Sequence, residues 1–258
     1  RLLQSSAAAG IGLTILRIPL LGADAPSNKL NVALIGVGGR GRKHFGAVKE
    51  ENVVALCDVN EQALARAAKT FPNAKHYVDW RKCLEQKDIN AVVCSTTDHT
   101  HAFIANWALN RDMHVYCEKP LTHTVAEARY ISQMADQAKV ATQLGNQGQA
   151  DEAARITCEI IQDGAIGQVT EVHAWSAAGG WSSGRGRPAN RPEVPAGFDW
   201  KLWLGPKPPR AYHPFYAPYN WRGWWAFGTG AVGDMAVHNV DPAFFCLDLG
   251  APHTVEAE

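Results

Sequence analysis

From residue 29 the chain alternates short apolar runs with amphipathic stretches. "KLNVALIG" (29–36) is an apolar run closed by glycine. A helix-compatible stretch from Arg40 to Val48 follows, and then a second strand, "NVVALCD" (52–58). Asn60 is placed to cap a helix through "EQALARAAKTF", and a short strand "KHYV", a helix near Trp80 to Gln86 and the strand "INAVVCS" come next. "HAFIANWALNR" reads as helix and "MHVYC" as strand. Thr124 and Glu127 form the signature of a capping box, and "VATQLG" is a last strand. Parallel neighbours need a crossover and a helix is the usual one, so this alternation predicts a parallel sheet with helices on both faces.

After Gly145 the pattern changes. A helix is expected from about Asp151 to Gln162, ending at "DGAIG", and "QVTEVHAW" (168–175) reads as a strand. Residues 178 to 220 are rich in Gly, Pro, Trp and Tyr, and seven of the nine tryptophans fall between Trp175 and Trp225. Two readings fit them: an aromatic core, or flat platforms for sugar rings. In "WRGWWAFGTGAVGDMAVHNVDPAFFCLDLG" (221–250), Asp234 and His238 stand four apart, on one face of a helix, with Asp241 three further along. An imidazole one turn from a carboxylate suits acid–base work; the plainer account is a helix cap at Asp234 and a core histidine.

Charge narrows the partners. Twenty-five basic residues balance 25 acidic ones, so no global field draws the chain to nucleic acid, and small neutral substrates are the expectation. The six cysteines show no zinc-like spacing; Cys57, Cys94 and Cys117 end apolar runs and read as small buried hydrophobes. Residues 1–27 hold an apolar stretch closed by Ala23-Asp24-Ala25, as an export signal is. "RLLQ" resembles the tail of a twin-arginine signal, so export or a periplasmic location is expected, with a cytoplasmic protein bearing an N-terminal arm as the alternative. The stretch is too short to span a bilayer. Three regions follow: the signal-like segment 1–27, a nucleotide-binding domain 28–145, and a substrate domain 146–258 whose last residues begin a strand that the sequence leaves unfinished.

The first strand-to-helix turn is "GVGGRG", which fits GxGxxG with Gly36, Gly38 and Gly41, and Gly39 and Arg40 lie between them. The glycines allow the tight turn, close approach of backbone to a pyrophosphate, and tight helix packing. Asp58 ends the next strand 22 residues after Gly36, where a carboxylate accepts hydrogen bonds from ribose hydroxyls and repels a 2′-phosphate. NAD is therefore the expected cofactor, with NADP left open by Arg40 and Arg42. Ligands in such sheets bind beyond the carboxyl ends of the strands. Thr97, Asp98, His99 and His101 of "TTDHTH" and Glu118, Lys119 and Pro120 all fall there. Thr97, Asp98, His101 and Glu118 are candidate cofactor contacts, although capping by Asp98 and packing by the two histidines fit equally well. Lys119, at a cofactor crevice after a buried strand, is a candidate functional charge.

"GVGGRG", "TTDHTHAFIA", "CEKPLTHT" and "GDMAVHNVD" together resemble the Gfo/Idh/MocA oxidoreductases. The resemblance implies an N-terminal Rossmann domain and a C-terminal α+β domain with a mostly antiparallel sheet, truncated here, and sheet-mediated homo-oligomers in the full-length protein. It aligns Lys119 with the lysine of the family's EKP motif and Asp234 and His238 with its DxxxH pair. It further implies oxidation of a secondary hydroxyl of a sugar, glycoside or polyol, His238 taking the proton, Lys119 stabilising the alkoxide and Asp234 fixing sugar and histidine. An NAD-dependent glycosidase that oxidises its sugar transiently is the second reading, and a non-catalytic nucleotide sensor the third.

Overall fold

The computed structural model describes residues 29–176 and 186–256, so the export-like segment and Trp181 lie outside the described residues. Six strands form one sheet: β1 (Asn31–Ile35), β2 (Asn52–Cys57), β3 (Lys75–Tyr77), β4 (Ala91–Cys94), β5 (His114–Glu118) and β6 (Thr142–Gly145). All neighbours are parallel and the order is β3-β2-β1-β4-β5-β6. Residues alternate between two apolar layers because successive side chains in a strand point to opposite faces. Ala33, Ile35, Val92, Cys94, Val115 and Cys117 meet one layer; Val32, Leu34, Leu56 and Val93 meet the other.

Helices cover both layers. α1 (Phe45–Val48) follows a 3₁₀ turn at Gly41–His44, so the helical stretch expected from Arg40 to Val48 is split. α2 (Glu61–Ala68) is capped by the Asn60 side chain, which accepts from the Gln62 and Ala63 N–H groups, and buries Ala63, Leu64 and Ala67. α3 (Trp80–Cys83) stops short of Gln86, while α4 (Asp98–Leu109) buries Ile104, Ala105, Ala108 and Leu109. α5 (Val125–Gln137) begins at the expected capping box: Thr124 Oγ1 accepts from Glu127 N, and the Glu127 carboxylate accepts from Thr124 N.

The C-terminal part is built from α6 (Glu152–Gln162), α7 (Trp200–Leu204), α8 (Gly230–Asn239) and α9 (Asp241–Leu247) with intervening loops. Trp200, Trp203, Trp221 and Trp224 pack with Tyr212, Tyr216 and Phe227 into a separate core, the Trp200 and Trp203 rings stacked at 4.7 Å. Those four tryptophans are therefore core, and only Trp175 and Trp225 of the described ones are widely exposed. The strand expected at 168–175 is not formed: the segment is irregular and exposed. A strand needs a neighbour for its N–H and C=O groups, and among the described residues none pairs with it. Antiparallel pairing in the described part of 146–258 is limited to one bridge, Asn60 to Phe198, which ties the aromatic core to the sheet. No described helix is long and apolar enough to cross a membrane.

Candidate active site

The strand order reverses between β1 and β4, and sheets of this kind bind ligands beyond the carboxyl ends of the strands at that point. Gly36 leaves β1 at φ +81°, and its N–H donates to the Cys57 carbonyl. No atom lies within 4 Å of where a Cβ on Gly39 would stand, so the loop presents bare backbone outward, as a dinucleotide pyrophosphate requires. Asp58 Oδ2 accepts from the Val37 and Gly38 N–H groups at 3.0 and 3.1 Å, and Oδ1 accepts from Asn60 N at 2.9 Å. The carboxylate thus braces the glycine loop. Its two oxygens offer about four acceptor positions, so capacity for ribose hydroxyls remains. Burial raises the Asp58 pKa against these bonds.

Arg40 and Glu118, both expected to touch cofactor, hold each other: Nε lies 2.7 Å from Oε1, and His44 Nε2 stands 2.8 Å from the same oxygen. Burial alone would raise the Glu118 carboxyl, but His44 and Arg40 outweigh it and hold it below the ordinary value. Its folded pKa is depressed, so ionised Glu118 contributes stability that is complete above the unfolded value near 4.5 and disappears as pH falls through the folded one. Glu118→Gln is accordingly expected to flatten the drop in melting temperature below pH 4.5, measured beside the parent by calorimetry.

Thr97 occupies the N-cap position of α4, its carbonyl accepting from Thr100 Oγ1 at 2.9 Å. Asp98 is buried and joins α4 to the C-terminal part: Oδ2 accepts from Thr229 N and Thr229 Oγ1 at 3.2 and 3.1 Å, anchoring the start of α8. His99 sits between the Trp203 and Phe227 carbonyls in the aromatic core, and burial pushes its pKa down to about 3, so it packs as a neutral ring. His101 is wholly buried, its nitrogens at the Pro120 and Thr96 carbonyls.

Lys119 follows β5, and its peptide bond to Pro120 is cis. Its Nζ donates to Asp234 Oδ1 at 2.8 Å and to the Asp234 carbonyl at 2.6 Å, joining the sheet to α8. Three N–H groups are available on an ammonium, so one remains for a ligand. Asp234 is not a helix cap; it lies inside α8, one turn before His238. His238 is half-buried, and burial together with the Lys119 ammonium lowers its pKa against the pull of Asp234. His238 is thus an imidazole disposed to be neutral and able to accept a proton, one helical turn from the carboxylate that holds the lysine. Asp241 belongs to the next helix, where it accepts from Gln149, so it does not extend the Asp234–His238 face.

Arg222 is a residue that the sequence reading passed over within "WRGWW". Its Nε stands 3.6 Å from Asp234 Oδ1, and its guanidinium lies over Trp221 at 4.2 Å. Two clefts of about 530 and 420 Å³ lie elsewhere, beside β3, both lined by Lys75, Gln86 and Asp88 and neither by Lys119, Asp234 or His238.

The order of the sheet, the bare glycine turn and the braced acid at the end of β2 define a dinucleotide-binding Rossmann domain. An oxidoreductase-family model for the NAD-binding Rossmann fold matches residues 30–146, and the model of that family's C-terminal alpha/beta domain matches 151–258. The chain belongs to the Gfo/Idh/MocA oxidoreductase family. Inositol 2-dehydrogenase of Salmonella typhimurium is 33% identical over 150 residues, covering 56% of this chain and 45% of that protein. Levoglucosan dehydrogenase of Pseudarthrobacter phenanthrenivorans is 26% identical over 236 residues, 84% of this chain and 51% of the relative. The chain thus spans about half the length of these curated relatives. The structure of myo-inositol dehydrogenase from Lactobacillus casei with NAD(H) and myo-inositol superposes with TM-score 0.50 at 30% identity, covering 54% of this chain and 43% of that one.

Proposed function

We propose that the protein oxidises a secondary hydroxyl of a sugar or polyol with NAD. The observation that carries the reading is the Lys119–Asp234 pair at 2.8 Å, with His238 one helical turn from Asp234 and its pKa lowered by burial and the Lys119 charge. Bound NAD supplies the hydride acceptor. Gly36, Gly38, Gly39 and Gly41 would admit its pyrophosphate, and Asp58 its adenosine ribose. His238 takes the hydroxyl proton. The remaining Lys119 N–H donates to the same oxygen and steadies the developing alkoxide. Asp234 holds the ammonium in place, and Arg222 adds a second cation behind it.

The relatives that carry inositol and levoglucosan dehydrogenase names support a polyhydroxylated ring as substrate. A panel of sugars and polyols, assayed with the full-length protein for NADH absorbance, tests this; no NADH from any member rejects net oxidation. An aryl glycoside that releases its phenol without net NADH identifies the redox-assisted hydrolase instead. Export, read from residues 1–27, and a homo-oligomer are parts of the same proposal; cell fractionation and sedimentation test them. Division into a nucleotide domain at 28–145 and a substrate domain at 146–258 is likewise proposed, with limited proteolysis as its check.

A further inference from the structure

His101 has both ring nitrogens committed. Nδ1 lies 2.8 Å from the Pro120 carbonyl oxygen and Nε2 lies 3.1 Å from that of Thr96. A carbonyl oxygen only accepts, and a neutral imidazole carries a single N–H. Either neutral tautomer would therefore aim a lone pair at an oxygen, in a residue only 1% exposed. The doubly protonated ring donates to both.

A buried cation needs an anion beside it. Cys94 and Cys117 are register partners on β4 and β5, and their sulfurs and a His101 ring nitrogen all lie within 4.8 Å of one another. Burial opposes a thiolate at Cys94, but the Cys117 thiol, His101 and Thr96 outweigh it and bring the pKa down to about 6. Cys117 moves the other way, raised by its bond to Cys94 and by burial, and so stays a thiol donor. On its own helix Asp98, three positions before His101, acts on it electrostatically, and Asp234 and Arg222 act on Asp98 in opposite directions. For His101 burial opposes the charge, yet Cys94, Asp98 and the two carbonyls bring a net rise. His99 gives the contrast: its two carbonyls lie at 3.3 and 3.1 Å, no thiol is grouped with its ring among the described residues, and burial pushes its pKa down to about 3, so two carbonyls without an anion beside the ring do not charge it. A metal ion would need an imidazole lone pair, and both His101 nitrogens are turned to carbonyls.

We propose that His101 is a positioning residue: a doubly protonated staple, with the Cys94 thiolate as its counter-ion, that ties the exit of β4 to the turn after β5 and so fixes the backbone carrying Lys119. Its effect on turnover rests on the oxidoreductase reading above; its charge state does not. Misplacing a reacting group by about 1 Å costs up to about 10²-fold in rate, so a loosened turn after β5 is felt in kcat rather than in cofactor affinity.

The experiment uses full-length protein with ¹⁵N-labelled histidine. At pH 7.5 one histidine, assigned by its loss in His101→Asn, is expected to show two protonated ring nitrogens, and in Cys94→Ala the same ring is expected to become neutral. A single-tautomer pattern in the unmodified protein overturns the staple. In kinetics, His101→Asn is expected to lower kcat roughly 10- to 10²-fold, with KM for NAD within about twofold. Cys94→Ala is expected to lower kcat at pH 7.5 by a similar factor, and its loss relative to the unmodified protein at the same pH is expected to shrink as pH falls and the ring is protonated again. Unchanged kcat in His101→Asn, or an unchanged pH profile in Cys94→Ala, overturns the positioning role. If His101→Asn does not fold, Cys94→Ala carries the test, because it removes only the counter-ion and the one ring that changes from two protonated nitrogens to one in it is His101; no such change overturns the staple. Absence of sugar or polyol oxidation by the unmodified protein defeats the oxidoreductase reading, while the ¹⁵N pattern still decides the staple.

Discussion

Lys119→Ala, made in the full-length protein, is expected to lower turnover of the proposed sugar or polyol substrate by about 10²-fold or more while NAD affinity is retained. The Lys119 ammonium spends two N–H groups on Asp234, and the third is the donor that substrate oxygen would meet. Removing it also leaves Asp234, whose side chain is 8% exposed, with Arg222 at 3.6 Å in place of a close partner. Breaking a buried pair on one side costs about 3–5 kcal/mol, so stability is expected to fall too. A second substitution separates the two effects. Lys119→Ala combined with Asp234→Asn relieves the stranded charge and should recover melting temperature without recovering kcat. Stopped-flow turnover and NAD titration by protein fluorescence check both; near-normal turnover in the single variant removes the lysine from the mechanism.

Gly41→Ala is expected to destroy NAD binding and to destabilise the domain by about 4 kcal/mol or more. A Cβ at Gly41 would stand 1.8 Å from the Gly36 carbonyl oxygen and 2.9 Å from its carbon. Gly36 cannot give way: it holds φ +81°, and its own would-be Cβ falls 2.6 Å from the Ser95 carbonyl oxygen at the end of β4. Backbone meets backbone on both sides, so the turn must open, and with it the surface that faces a pyrophosphate. Gly46→Ala is the control, because nothing lies within 4 Å of that Cβ and the site is helical; it is expected to be neutral or slightly stabilising. Denaturant midpoints and NAD titration of the two variants test the contrast, and a Gly41→Ala protein that binds NAD normally refutes the argument.

Much of the nucleotide half was legible from local signals. Asn60 caps α2 and Thr124 with Glu127 boxes α5 as their spacing predicts, and Asp234 and His238 share α8. The reading failed where the determinant was remote. The apolar 168–175 segment has strand composition, yet a strand forms only against a partner, and no described residue provides one. Aromatic composition in residues 175–225 could not tell core from platform; the stacking of Trp200 on Trp203 and the packing around Phe227 settled it for those rings. Arg222 carried no signal of its own, since a single arginine among tryptophans says nothing about a carboxylate 12 residues on.

The sequence by itself determined the six strands of the parallel sheet, the caps of α2 and α5, the glycine turn and the helix that displays a carboxylate and an imidazole, because periodicity, capping and φ preferences act across a few residues. Only the tertiary structure decided that Lys119 meets Asp234 across 115 positions, that Arg40 and His44 share Glu118, and that His101 faces two carbonyls with Cys94 at its side. Those pairings depend on which strand ends lie side by side, and strand order is fixed by burial of the whole sheet rather than by any local stretch of chain.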